Sequence, residues 1–210
     1  MKQFIFLFAI MIIASQVNSQ SHADTYINEA QGYLAQKNYK QAQLSLQDAI
    51  NDLNTVIGTQ ISESLPAEIN GLKASGENNI NTAAMGLMGG GLHITKTYEN
   101  PAKIEQQADV VIMANSPLMS MMGMYLNNPA MMGQGAKSVR VGATRAVIKT
   151  EMVDHYSDSG SSKQIRSSEL QIPLTQTLIT ITMRGFASEA DELAFASKLD
   201  VDKLRIALGE

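Results

Sequence analysis

Methionines are the residues of this sequence whose type and spacing most suggest a chemical role. The chain has 13 of them, and six fall within the fourteen residues from 119 to 132, while another two precede the glycine run 89–91. The members of the two segments are Met85, Met88, Met119, Met121, Met122, Met124, Met131 and Met132. Methionine is flexible and polarisable, so segments 85–91 and 117–132 predict a deformable apolar surface for a protein partner, a lipid or a homodimer.

Soft-metal binding is the alternative interpretation of the same residues. Thioether sulfur favours Cu(I), and two methionines three positions apart lie side by side on a helix. Three pairs have this spacing: Met85 with Met88, Met119 with Met122, and Met121 with Met124. The predicted copper ligands are Met85, Met88, Met119, Met122, Met124 and, as a nitrogen donor, His93. The commoner uses of methionine are core packing and interfaces, so the first interpretation assigns no cofactor.

The central methionine segment is predicted to be helical. Ser116 is a good N-cap and Pro117 suits the first helical position, so the helix is expected to run from 117 to about 127. Half of its methionines share an apolar stripe with Leu118 and Tyr125, which favours core packing for them. The sequence leaves open whether this helix faces the core or the surface.

An enzyme is the third and least favoured hypothesis. Neither His93 nor His155 lies in a recognised nucleophile or zinc motif. The glycine run 89–91 lacks the Lys-Ser/Thr ending of a phosphate-binding loop. Catalysis would require side chains such as Asp109, His155 and Arg145 to converge in one pocket. The sequence therefore favours a non-enzymatic binding or accessory protein.

The first residues have the composition of a cleavable secretory leader. Lys2 precedes an unbroken apolar run from Phe4 to Ala14, and small and polar residues follow. Cleavage is expected after Ser19 or after Ala23, and the pattern satisfies both. The predicted organisation is a leader over 1–23, a helical hairpin over 24–64 and an α+β sheet domain over 65–210.

Composition limits the classes of partner. Without Lys2 the chain has 15 basic against 20 acidic side chains, a net charge of −5, which makes nucleic acid an unfavourable partner. There is no cysteine, so disulfides and thiolate chemistry are excluded. After the leader, no apolar stretch approaches the length of about 20 residues that a membrane span needs.

Two helices are predicted at the start of the mature chain, one from Thr25 and a longer one from about Tyr39 to Ser64, ended by Pro66. One apolar stripe is assigned to the second helix: Ala42, Leu46, Ala49, Ile50, Leu53, Val56, Ile57 and Ile61. The segment resembles a single tetratricopeptide unit, with matching residues at Ala30, Tyr33, Tyr39, Ala42, Leu46 and Ala49. Stacked arrays need about three repeats, so the expectation is a lone hairpin lying against the domain.

Beyond Leu72 the hydrophobic period shifts toward two, which indicates strands. Those predicted are Leu92–Tyr98, Ala108–Ala114, Ser138–Val141, Arg145–Val153, Glu169–Leu174 and Thr177–Arg184. Hairpin turns are expected at Gly142-Ala143 and at Thr175-Gln176, and Ser188 with Asp191 predicts the cap of a last helix. The predicted fold is α+β, a helical hairpin followed by a mainly antiparallel twisted sheet, covered by the methionine-rich helix and the C-terminal helix.

Several short strings resemble an uncharacterised family of bacterial exported proteins with a Met-Gly-Gly-Gly segment and a Ser-Pro-Leu methionine-rich helix. The matching strings are Leu65-Pro66, Met88-Gly89-Gly90-Gly91, Thr97-Tyr98, Asn115-Ser116-Pro117-Leu118, Asn127-Asn128-Pro129 and Leu199–Leu204. The family often has Gly-Trp after the Leu-Pro pair, whereas this chain has no tryptophan. The resemblance implies a periplasmic or secreted protein of the bacterial envelope and supplies no activity.

Overall fold

A computed structural model describes residues 21–81, 91–115, 135–156 and 162–210, and it confirms the α+β class. The helices are α1 (Ala23–Ala35), α2 (Tyr39–Ser64), α3 (Glu189–Ala196), a 3₁₀ turn (Ser197–Leu199) and α4 (Val201–Ala207). Among the helices described, none has the length and apolar character needed to cross a bilayer. The predicted methionine-rich helix and the leader lie outside the described residues.

The described strands form one antiparallel sheet. They are β1 (Glu68–Ile69), β2 (Leu72–Asn81), β3 (Leu92–Asn100), β4 (Lys103–Ala114), β5 (Ala136–Val141), β6 (Thr144–Tyr156), β7 (Ser162–Pro173) and β8 (Thr177–Arg184). Their order across the sheet is β1, β2, β3, β4, β8, β7, β6, β5. The pairing of β4 with β8 therefore joins two meanders of four strands each.

One face of the sheet carries the hydrophobic core. On β8 the residues Ile179, Ile181 and Met183 are fully buried, as the period of two predicts. Their register partners on β4, Ile112 and Val110, are buried as well. The C-terminal part of α2 and the segments α3 and α4 share this core. Within the described chain, the helices that cover this face of the sheet therefore come from before β1 and from after β8.

The sequence fixes both ends of α2. The Asn38 side chain accepts a hydrogen bond from the Gln41 backbone N–H at 3.4 Å, and Pro66 follows shortly after the last turn. The Lys96 ammonium, on the covered face of β3, donates to the carbonyl oxygen of Ser62 at 3.0 Å. Burial lowers the pKa of Lys96. This bond satisfies one of the carbonyl groups that a helix leaves unpaired at its C-terminus.

An aromatic cluster holds the C-terminal helices against the sheet. The ring of Phe195 on α3 meets Tyr98 edge to face at 5.5 Å and Phe186 at 5.8 Å, both between ring centroids. The Tyr98 hydroxyl donates to the carbonyl oxygen of Pro66 at 2.9 Å. Burial raises the pKa of Tyr98 to about 12. The same residue therefore ties the end of α2 to the middle of the core.

A buried ion pair fixes α3 on strands β6 and β7. The Arg166 guanidinium donates to both carboxylate oxygens of Glu192, at 2.8 and 3.0 Å, and also to the Thr150 hydroxyl at 3.1 Å. Glu192 has no exposed surface, whereas the Arg166 side chain is 24% exposed. Its hydrogen bond to Glu192 raises the pKa of Arg166. This fork-to-fork contact gives the helix one orientation on the sheet.

Candidate functional site

The methionines predicted to form the contact surface lie outside the described residues, so the sulfurs of Met85, Met88, Met119, Met121, Met122, Met124, Met131 and Met132 have no assigned positions. The described residues beside them do have positions. Leu92 pairs with Ala114, and His93 pairs with Asn81. Asn81, Leu92 and Ala114 therefore lie at one end of the sheet, and the role of the two segments in binding stays a prediction.

His93, the predicted nitrogen ligand, lies on the sheet face opposite the helices. It is half-buried on β3, and its register partner on β4 is Met113, which is also half-buried. Directly opposed residues on antiparallel strands have Cβ atoms about 5 Å apart. The sheet thus places one imidazole beside one thioether, a pair that the sequence alone did not reveal because it depends on strand register.

The three side chains considered for catalysis are well separated. Asp109 on β4 is level with Lys149 on β6, with β8 and β7 between them. His155 is six residues further along β6, and Arg145 is four residues in the other direction. At about 3.3 Å per residue these offsets are on the order of 20 and 13 Å. Asp109 instead accepts a hydrogen bond from the Thr97 hydroxyl at 2.8 Å.

Most of the exposed large apolar side chains among the described residues lie on the helical hairpin α1–α2. Five large aliphatic side chains form one group, and we call them the hairpin face: Ile27, Leu34, Leu46, Ile50 and Leu53, which are 37% to 51% exposed. Tyr39, at the start of α2, borders them and is 67% exposed. Single exposed apolar residues are ordinary on proteins, so it is the grouping of these side chains on one hairpin that makes them a candidate site.

Small side chains form the contact between the two helices of the hairpin. Ala23 and Ala30 of α1 are buried against α2, where Ala42, Ser45 and Ala49 are buried in turn. Helices joined through small residues approach closely, but each such contact removes little apolar area from water. The larger aliphatic residues of both helices lie next to this contact and stay partly exposed.

Helical geometry places the hairpin face on one flank of this contact. On α2 the buried residues facing α1 recur at 42, 45 and 49, and the exposed residues 46, 50 and 53 each follow one of them at a rotation of about 100° or less. On α1, Ile27 and Leu34 are rotated in the same sense from Ala30. Because the helices are antiparallel, these rotations bring both sets to the same side of the hairpin.

This arrangement corrects the single apolar stripe that the sequence predicted for α2. The stripe divides into three parts with different surroundings. Ala42 and Ala49 face α1, and Ile61 is buried against the sheet. Leu46, Ile50 and Leu53 are 44%, 51% and 44% exposed, so they do not lie against the domain. The sheet supports only the last turns of α2, where Gly58 approaches Ile80 and Leu92 closely.

The exposed residues of α2 follow a heptad pattern. Tyr39, Leu46 and Leu53 occupy one position of the repeat, and Ile50 and Ile57 occupy the other apolar position. Ile57 is partly buried and packs against the core, so the pattern continues from the surface into the domain. An isoleucine and leucine seam of this kind is typical of helices that pack against another helix.

Two carboxylates of α2 lie away from the hairpin face. Asp48 and Asp52 occur on the opposite flank of α2. The Asp52 carboxylate accepts hydrogen bonds of 2.7 Å from the Ser21 hydroxyl and from the His22 backbone N–H, which ties the start of α1 to α2. The hydrogen bond from Ser21 lowers the pKa of Asp52. The Asp52 carboxylate therefore stabilises the hairpin itself, and neither aspartate lies among the apolar side chains of the hairpin face.

Comparison with known proteins identifies no relative: no family model matches the chain, and no curated protein or solved structure matches it. The resemblance to an uncharacterised family of bacterial exported proteins therefore remains a prediction. The function has to be argued from the geometry of this chain alone.

Proposed function

We propose that this chain is an exported, non-enzymatic binding or accessory protein, and that the hairpin face is its main contact surface. The exposure of Leu46, Ile50 and Leu53 on one flank of α2 is the observation that carries the proposal. The leader-like residues at the N-terminus support export to the periplasm or the exterior. The methionine-rich segments 85–91 and 117–132 belong to the proposed contact surface on their composition alone.

The stability of the hairpin supports a contact role. Helix α1 has 13 residues, its N-cap makes no side-chain hydrogen bond, and the residues that it buries fully are two alanines. Isolated helices of that length are marginal in water, and alanine contacts add little hydrophobic stabilisation. A partner covering the hairpin face would supply the apolar burial that the hairpin lacks.

A helical protein surface suits the hairpin better than a lipid headgroup layer does. Residues 21–64 contain five acidic side chains, two lysines and no arginine. Helices that lie on membranes usually carry lysine and arginine on their polar face, because bacterial and cytoplasmic leaflets are anionic. The acidic hairpin would be repelled by such a surface, so we favour a protein partner.

Site-specific photo-cross-linking in the producing cells tests the proposal. A photoreactive amino acid replaces Ile50 on the hairpin face or, as a matched control, Leu44, which is 48% exposed on the other flank of α2. We expect an adduct from position 50 that Leu46→Asp abolishes, and much less adduct from position 44. Equal adduct yields from both positions, or none from position 50, would refute the proposed surface.

Copper binding is the second candidate function, and the pairing of His93 with Met113 favours it. An imidazole and a thioether on neighbouring strands are two of the donors that Cu(I) accepts. Additional thioethers would have to come from the methionine-rich segments that flank β3 and β4 in the sequence. Within the described parts of the chain, histidines and carboxylates form no group of three that could hold a metal ion.

A Cu(I) titration under anaerobic conditions with a competing chelator tests this second function. Submicromolar binding that weakens at least tenfold in Met113→Leu and in His93→Leu would support it. Met152→Leu is the matched control, because Met152 is 57% exposed and has Arg166 as its register partner on β7. Binding weaker than micromolar, or equal losses in all three variants, would remove copper from consideration.

A further inference from the structure

We propose that the hairpin face binds a second copy of this chain, so that two α1–α2 hairpins form a four-helix bundle. This inference rests on the proposed function, since it names the partner of the same surface. Two hairpins related by a twofold axis would place Leu46, Ile50 and Leu53 of one chain against the same residues of the other. An isologous contact of this kind needs a surface that is complementary to itself.

The chemistry of the hairpin face meets that requirement. Its α2 seam from Tyr39 to Gln60 has aliphatic, aromatic or amide side chains at every heptad core position: Tyr39, Gln43, Leu46, Ile50, Leu53, Ile57 and Gln60. A charged residue at the centre of this seam would lie close to the same charge on the other copy. Because none is charged, two copies can approach without like-charge repulsion at the centre of the contact.

The flanking heptad positions are also compatible with self-association. Positions 42 and 49 on one side are alanines, and positions 40, 47 and 54 on the other are Lys40, Gln47 and Asn54. In heterospecific coiled coils these flanking positions usually hold glutamate and lysine, which select a partner of complementary charge. Here they are neutral except for Lys40 at the start of the helix, so the middle of the seam carries no charge that discriminates against an identical chain.

The area of the hairpin face is sufficient for a dimer at the small end of the stable range. If each of its five residues and Tyr39 contributes roughly 100 Å², one chain offers about 600 Å² and the pair about 1,200 Å², where stable interfaces begin. In the resulting bundle, isoleucine and leucine side chains would form a core between the two hairpins, in addition to the alanine contacts within each hairpin. The predicted dimer is therefore one that exchanges with monomer at low concentration.

The mass of the purified protein in solution, measured by light scattering and by sedimentation equilibrium over a hundredfold concentration range, tests this inference. The protein is produced from the full chain and measured with no added ligand. The expected result is a dimer at high micromolar concentration that dissociates on dilution. Leu46→Asp and Ile50→Asp should each give a monomer at every concentration with unchanged far-ultraviolet circular dichroism.

Leu44→Asp is the matched control, because it introduces the same charge on the same helix at a position of similar exposure. It should remain a dimer with an unchanged dissociation constant. If an aspartate variant loses helical signal, Leu46→Gln and Ile50→Gln replace it, and we expect at least a tenfold weaker dimer from each.

Two outcomes would overturn the inference. One is a wild-type protein that is monomeric throughout the concentration range, and the other is equal weakening by Leu44→Asp and Leu46→Asp. A monomer that still cross-links in cells from position 50 but not from position 44 would reject the second copy and retain the contact surface. A monomer that gives no such cross-link would reject both.

Discussion

Leu44 and Leu46 are almost equally exposed, at 48% and 44%, yet they point to opposite flanks of α2. Residues two positions apart on a helix are rotated by about 200° about its axis. Only Leu46 therefore lies on the same side of α2 as Ile50 and Leu53. The two leucines therefore differ in the side of the helix that they face and not in their exposed fraction. This makes the two leucines an internal comparison for any experiment on the hairpin face, since a general effect of adding a charge to α2 acts on both.

Two glycines of the hairpin are predicted to respond to alanine in opposite directions. A Cβ atom on Gly58 would lie 2.6 Å from the Ile80 Cγ2 atom and 2.9 Å from the Leu92 Cδ1 atom, so Gly58→Ala must displace these side chains or the helix. Gly32 in α1 has no atom within 4 Å of that position, so Gly32→Ala should gain the helix propensity of alanine. We expect Gly58→Ala to lower the free energy of unfolding by about 1–3 kcal/mol. We expect Gly32→Ala to raise it by about 0.5–1 kcal/mol.

Urea unfolding followed by circular dichroism measures both changes. The midpoint should fall for Gly58→Ala and rise for Gly32→Ala, with little change in the slope. A Gly58→Ala protein as stable as the wild type would show that α2 does not approach β2 and β3 as closely as described.

Tyr98 should make the fold sensitive to alkaline pH. The folded state holds its phenolic proton up to about pH 12, whereas an exposed tyrosine loses it near 10.0. Between those values the unfolded chain binds fewer protons than the folded chain, so the free energy of unfolding falls as the pH rises. Tyr98→Phe should lower the free energy of unfolding by about 1 kcal/mol at neutral pH, because the Pro66 carbonyl loses its donor. Above pH 10 the free energy of unfolding of this variant should fall less steeply than that of the wild type.

Urea midpoints measured at intervals from pH 8 to 12, for the wild type and for Tyr98→Phe, test this behaviour. The tyrosinate absorbance near 295 nm gives an independent reading of the late ionisation. Parallel pH profiles for the two proteins would contradict the burial of the Tyr98 hydroxyl.

Removal of the Glu192 charge should destabilise the attachment of α3. Glu192→Gln leaves the Arg166 guanidinium without its buried carboxylate partner, and we expect the free energy of unfolding to fall by about 2–3 kcal/mol, because the charge on Arg166 loses its closest counter-charge. Glu189→Gln is the matched control, because the Glu189 carboxylate is 3.8 Å from the same guanidinium but its side chain is 28% exposed. This variant should lower the free energy of unfolding by no more than about 1 kcal/mol.

Thermal and urea unfolding of both variants, together with the double variant Arg166→Met/Glu192→Leu, complete this test. The double variant should recover at least half of the loss, since two apolar groups can replace a paired charge at similar stability. Equal losses for Glu189→Gln and Glu192→Gln would mean that the two carboxylates have equivalent surroundings.

Much of the fold follows from local signals in the sequence. Helix α2 runs from Tyr39 to Ser64 and strand β8 from Thr177 to Arg184, both as predicted, because a cap, a proline or a turn defines each end. Ser188 caps α3 as predicted by accepting from the Asp191 backbone N–H. Strand β2 was not predicted, since its ten residues are mostly polar and its register with β3 shifts between Ser75 and Asn79.

The candidate site was less predictable for two physical reasons. Hydrophobic periodicity shows that α2 has an apolar side but not which part of it meets a neighbour, so Leu46 and Ala49 were assigned to one stripe although only Ala49 is buried. The pairing of His93 with Met113 depends on strand register, which the spacing of the two residues along the chain does not determine. The predicted methionine surface belongs to residues beyond those described.

Thiol labelling tests most directly whether the hairpin face is covered by a second copy. The chain contains no cysteine, so Ile50→Cys and Leu44→Cys each introduce a single reactive group. We predict that Ile50→Cys is labelled slowly at high protein concentration and faster on dilution, whereas Leu44→Cys is labelled at one rate throughout. Equal rates at the two positions, independent of concentration, would contradict the account.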